Sequence, residues 1–151
     1  MIIYFDSSAL VKAYCLEPTS PQVLALLKRV APPLLFTQLH AIEIRNALRL
    51  KRFRGELTLS QLQGALGNLR DDVESGFLWI PDLDFRALFD QAEILSAAHT
   101  PVVGTRCLDI LHVAAALLLG SRQFVSFDRR QRTFARRAGL AVLPKALRDR
   151  A

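Results

Sequence analysis

Short apolar runs along this chain alternate with longer stretches in which apolar side chains recur every three or four positions. The first run, Ile2-Ile3-Tyr4-Phe5, favours a strand and stops at Asp6, after which Ser7 and Ser8 can cap a helix over Ala9 to about Leu16. A second helix starts near Ser20 with Pro21 at its first position and carries Val23, Leu24, Leu26 and Leu27 toward Pro32-Pro33. Leu34-Leu35-Phe36-Thr37 reads as a buried strand. Gln38 to Phe53 reads as a helix, with Leu39, Ile42, Ala47 and Leu48 apolar and basic residues opposite. Thr58 or Ser60 caps a helix through Leu62, Leu66, Leu69 and Val73 that ends near Gly76, and Phe77-Leu78-Trp79-Ile80 is a strand halted by Pro81. Asp84 to Ala98 is helical. Thr105 then caps a helix through Leu119 that is apolar nearly all round and so belongs in the centre of the fold. Phe124-Val125-Ser126-Phe127, a basic helix from Arg130 to Ala138 and a last strand Ala141-Val142-Leu143 complete the pattern.

Apolar strands alternating with helices predict an α/β fold: a three-layer α/β/α sandwich around a parallel sheet of about five strands. No repeat, low-complexity stretch or long linker divides the chain, so residues 1–151 read as one domain.

Four acids stand where that fold makes them conspicuous. Asp6 and Asp128 each follow an apolar strand, and Glu43 and Asp109 each lie early in an apolar helix, after Thr37 and Thr105. Carboxyl ends of parallel strands and amino ends of the following helices share one edge, where ligands bind. Carboxylates converging there repel one another, and helix amino ends offset only about 0.3–1 kcal/mol each. A divalent cation removes the penalty, and oxygen ligands suit Mg²⁺ or Mn²⁺ rather than zinc. Asp6, Glu43, Asp109 and Asp128 are therefore the candidate metal-binding and catalytic residues, with Ser8 and Ser126 as hydroxyls that can hold a water or a carboxylate. Both serines read equally well as satisfying backbone groups at turns.

Charge adds a substrate class. The net charge is +6 and arginine dominates the positive set, with clusters Arg45-Arg49-Lys51-Arg52-Arg54 and Arg129-Arg130-Arg132-Arg136-Arg137. Arginine forks onto phosphate oxygens, so a metal pocket beside such clusters points to phosphodiester hydrolysis in a polynucleotide, with Arg106, Arg129 and Arg130 candidates to touch the backbone. A solvated helix face is the plainer reading of either cluster. Arg106 can equally pair with an acid. Two cysteines, Cys15 and Cys107 in apolar surroundings, support neither a disulfide framework nor a zinc site. The longest strictly apolar run, Val113 to Leu119, is far short of a membrane span, and no basic segment precedes the first apolar one as in a secretion signal; a cytoplasmic protein is expected. His40, His99 and His112 share no edge, which disfavours metal-free acid–base cleavage, and His112 reads as a core histidine one turn beyond Asp109. No Gly-x-x-x-x-Gly-Lys run supports a nucleoside triphosphatase.

Taken in order, Asp6-Ser7-Ser8-Ala9-Leu10-Val11-Lys12, Glu43, Leu108-Asp109-Ile110-Leu111-His112 and Ser126-Phe127-Asp128 resemble the PIN-domain ribonucleases, and within them the VapC-type toxins of prokaryotic toxin–antitoxin pairs. The resemblance spans essentially the whole chain, through the closing Gly139-Leu140-Ala141-Val142. It implies Mg²⁺- or Mn²⁺-dependent cleavage of single-stranded RNA, a homodimer, inhibition by a cognate antitoxin, and Asp6, Glu43, Asp109 and Asp128 as the metal pocket. The chain departs from many relatives in carrying Ser126 in place of threonine, and Arg129-Arg130-Gln131 where a further acid often stands, which bears on a second ion. Two other readings stay open: a non-catalytic RNA-binding module of the same fold, and an RNA-processing or repair nuclease outside any toxin–antitoxin pair.

Overall fold

In chain order the elements are β1 (Ile3–Phe5), α1 (Ser7–Leu10) running into a 3₁₀ turn (Val11–Ala13), α2 (Ser20–Leu27), β2 (Leu34–Leu35), α3 (Gln38–Phe53), α4 (Leu59–Glu74), β3 (Leu78–Trp79), α5 (Phe85–Val103), α6 (Cys107–Leu118), β4 (Gln123–Val125), α7 (Arg129–Arg137) and β5 (Ala141–Leu143). The structure is a computed structural model that describes residues 2–145. All its strand pairs are parallel, as the alternation of apolar runs and helices predicts.

The elements divide into two compact units. One comprises the first six residues and the chain from Asp82 onward, the other Ser7–Pro81. In the first unit the strand order is β1-β4-β5, with Phe5 opposite Val125 and Val125 opposite Leu143. Tyr4 and Phe124, partners in that register, stack with ring centroids 5.6 Å apart. Val113, Ala114, Ala115 and Ala116 of α6 are fully buried, as expected of a helix with almost no polar face. Their small side chains let neighbouring helices approach closely. In the second unit β2 pairs with β3, and Val23, Phe36, Ile44, Leu48 and Leu69 form the core.

β1 to β4 are shorter than the apolar runs that predicted them, β5 matches its run, and the strands pair as three plus two, not as one ladder of five. In β2 and β3 only two residues each are in register; Leu34 and Phe36 donate to the carbonyls of Phe77 and Trp79, and then Thr37 turns into α3. Two helices also differ from expectation. α1 starts directly at Ser7 and lasts one turn before tightening into the 3₁₀ turn. α5 continues past Ala98 and through Pro101 to Gly104, whose positive φ of 66° closes it. Proline removes one backbone donor, and this close to the end the helix tolerates the loss. No helix among the described residues is long and apolar enough to cross a membrane.

Candidate active site

Where β1 ends, Asp6 donates its backbone N–H to the Val125 carbonyl of β4 at 2.9 Å, and the residue is only 1% exposed. β4 leads into a turn held by Ser126, whose Oγ accepts from the Asp128 N–H at 3.1 Å and donates to Gln131 Oε1 at 3.0 Å. Asp128 caps α7: its Oδ1 accepts from the Gln131 N–H at 2.9 Å, which satisfies one of the orphan donors of the helix start. One carboxylate oxygen is thus engaged, and Oδ2 is no part of the cap. Asp6 and Asp128 therefore lie at the carboxyl ends of neighbouring parallel strands, the edge at which open α/β sheets bind ligands.

The same turn explains an arginine from the second basic cluster. Arg132 is 3% exposed, and its guanidinium donates to the carbonyls of Ser126 (2.7 Å), Leu143 (2.9 Å) and Pro144 (2.6 Å). It locks the end of β4 to the end of β5 and is not available to a ligand. Arg129 and Arg130, the first two residues of α7, remain exposed beside Asp128.

Asp109 lies in the first turn of α6, where the helix dipole favours a negative charge. Arg106 Nε stands 3.6 Å from Asp109 Oδ2, so of the two roles open to this arginine it takes the pairing one here. One turn further, buried His112 accepts or donates through Nδ1 to the Tyr4 hydroxyl at 2.8 Å, which fixes α6 against β1 two residues before Asp6. His112 is a core histidine. Thr105 does not cap α6: Arg106 occupies the cap position, and the Thr105 hydroxyl is buried with no hydrogen-bond partner among the described residues.

In the other unit Glu43, on the second turn of α3, accepts a hydrogen bond from Ser7 Oγ at 2.7 Å. Ser7, not the exposed Ser8, is the hydroxyl that holds this acid. Buried His40 takes the usual glutamate position of a capping box, its Nδ1 accepting from the Thr37 N–H at 2.9 Å, so the start of α3 is rigid around Glu43. Two further interactions brace the unit. Glu17 lies between Lys12 (3.3 Å) and Lys51 (3.0 Å); burial pushes its carboxyl up, but hydrogen bonds from Lys51 and Lys12 outweigh this and leave it below the ordinary range. The Tyr14 hydroxyl donates to Asp72 Oδ2 at 2.6 Å, and burial together with that carboxylate holds the phenol far above a normal tyrosine.

Asp6, Asp109 and Asp128 thus fall in one unit and Glu43 in the other. Among the described residues no group of three or more His, Cys, Asp and Glu side chains is arranged to hold a metal ion. The sequence reading missed Ser7, Gln131 and Arg132. Ser7 and Ser8 are indistinguishable as letters, and only the phase of the first helical turn selects between them. Arg132 was hidden among neighbouring arginines; its spacing of two from the buried face residue Phe134 carries no signal of burial. Cys107 is exposed despite its apolar neighbours, and both cysteines are free.

No known family's sequence profile matches the chain, and no curated protein matches it. Among solved structures it is similar to the crystal structure of FitAcB from Neisseria gonorrhoeae, with a TM-score of 0.61 over 93% of this chain and 96% of that one, at 16% sequence identity. The likeness is one of fold alone, an α/β arrangement of helices with parallel strands.

Proposed function

We propose that this protein is a metal-dependent endoribonuclease and the toxin of a toxin–antitoxin pair. The observation that carries the reading is the placement of Asp6 and Asp128 at adjacent strand ends, with Asp109 in the first turn of α6 of the same unit. The fold supports it, since FitAcB is a PIN-domain toxin–antitoxin complex. The residues suit a hard cation: Asp6, Asp109 and Asp128 offer carboxylate oxygens only, as does Glu43 within its own unit.

Bound there, such an ion supplies Lewis acidity, lowering the pKa of water and neutralising charge on phosphoryl oxygens. The chain's own residues prepare the site. The Val125 carbonyl fixes the Asp6 backbone, the cap at Gln131 fixes Asp128, and Ser7 fixes Glu43. Arg106 holds Asp109 in the absence of substrate and can turn to a phosphate oxygen. Arg129 and Arg130 are placed to meet an RNA backbone approaching Asp128. Antitoxin binding and a homodimer complete the proposal, and a cytoplasmic location follows from an RNA substrate.

Cleavage of RNA with Mg²⁺ or Mn²⁺ tests it. Asp6→Asn and Asp109→Asn are expected to lower the rate at least about a hundredfold while circular dichroism stays unchanged, because losing one negative charge from an acidic edge does not weaken the fold. A variant that cuts at the wild-type rate would remove its residue from the site. RNA binding with no cleavage in either metal would instead assign the chain to the non-catalytic reading.

A further inference from the structure

α3 and α4 pack side by side, and on the outer side of their contact lies a groove of about 460 Å³ lined by Arg45, Arg49 and Arg70, with Gln63 and Gly67. Arg45 and Arg49 are one helical turn apart on α3, and Arg45 is two positions from Glu43, hence on nearly the opposite face of the helix from the acid that meets Ser7. The bonds of Arg45 and Arg70 are weak. Arg45 reaches the Ala41 carbonyl at 3.4 Å, while Arg70 meets Asp71 at 3.4 Å and Glu74 at 3.8 Å, all three of these α4 side chains being about two-thirds exposed. Such pairs are worth little in solvent and yield readily to a better anion.

α4 also carries Gly64 and Gly67 in its interior, where glycine is a poor helix former. Nothing within the chain requires them: a Cβ at Gly64 would meet no atom within 4 Å, and one at Gly67 would meet only Arg70 Nη2 at 4.0 Å. Gly67 lines the groove and keeps its wall low beside Arg70, next to Leu66. We infer that this groove is a phosphate-backbone site for single-stranded RNA, built into the helical hairpin on the face away from Glu43. Three planar guanidiniums and the Gln63 amide fit a row of phosphate and sugar oxygens, and the bare helix backbone at Gly67 admits the strand closely. The inference rests on the nuclease reading and deepens it by adding a substrate track on a face of α3 other than that of Glu43.

Binding of fluorescein-labelled oligouridylate, followed by anisotropy in EDTA so that no cleavage intervenes, tests it. The triple variant Arg45→Gln, Arg49→Gln, Arg70→Gln is expected to bind at least about tenfold more weakly and to lose about 2 from the slope of log K against log salt, near 0.7 per phosphate contact. Gly67→Glu, which brings a carboxylate among the arginines on an exposed helix face, should weaken binding in the same direction. Unchanged RNA affinity and slope in both variants would overturn the proposal. So would tighter wild-type binding of polyglutamate than of RNA, lost in the triple variant, which would mark an acidic protein as the occupant. Weakened binding in a chain that no metal makes cut RNA would sustain the groove and defeat the nuclease reading; unchanged binding with cleavage lost in Asp6→Asn would do the reverse.

Discussion

Arg132 shows how a residue that reads as a ligand-binding charge becomes a fastener. Its three bonds to main-chain carbonyls satisfy acceptors at the ends of β4 and β5 that no water replaces at 3% exposure. Arg132→Met would keep much of the volume but leave those carbonyls unpaired, with an expected loss of about 2–4 kcal/mol in urea unfolding. Lysine should not rescue, because one ammonium cannot span the fork. Arg129→Ala, on the exposed start of the same helix, should be close to neutral for stability. At this scale the sequence was readable where chemistry is position-bound and opaque where it is not. Asp6, Glu43, Asp109 and Asp128 each appear at the strand end or early helical turn expected of them. Ser126, by contrast, serves the turn: its hydroxyl holds the Asp128 N–H and Gln131, a role fixed by the backbone path and not by residue type.

Elements were most legible where local signals agree. α3 spans Gln38–Phe53 and β5 Ala141–Leu143, both as the pattern predicts, because a cap at Thr37 and a glycine at 139 mark edges that packing also favours. α5 outran its pattern because tertiary contact with α6 and α7 supports turns that propensity alone would end before Pro101. Thr105 misled for a related reason: threonine is a good cap in isolation, yet here Gly104 turns the chain and delays the helix by one residue. The bond between Tyr14, at the end of the 3₁₀ turn, and Asp72 of α4 joins elements that the sequence left unconnected. Its acid form is the one stabilised, so folding gains from it fully below the free tyrosine value of 10.0, and the gain fades as pH rises above that. Wild-type stability should therefore fall more steeply than that of Tyr14→Phe between pH 10 and 12, as read by denaturant midpoints, while at pH 7 the variant is weaker by about 1 kcal/mol.

For the molecule as a whole, the positive charge, the parallel strands and the acid-bearing edge have separable consequences. The ion of the proposed reaction should be needed for chemistry and hardly at all for folding. Chelation is expected to abolish cleavage yet move Tm by no more than about 5 °C, whereas a structural metal would shift it far more. Scanning calorimetry with and without EDTA separates the two. What could not be read from the chain is how its acids divide between compact units, since Asp6 and Ser7 are consecutive residues that fall on opposite sides of that division.

β1 has a consequence for biosynthesis. Its partner is Gln123–Val125, so it has no neighbour to pair with until the chain has been translated through β4. Ser7–Pro81 can condense early from a contiguous stretch emerging from the ribosome, whereas the strand edge bearing Asp6 and Asp128 forms only once β4 and the turn after it have emerged. A nascent chain that stops short of Gln123 would lack the edge on which the proposed activity depends.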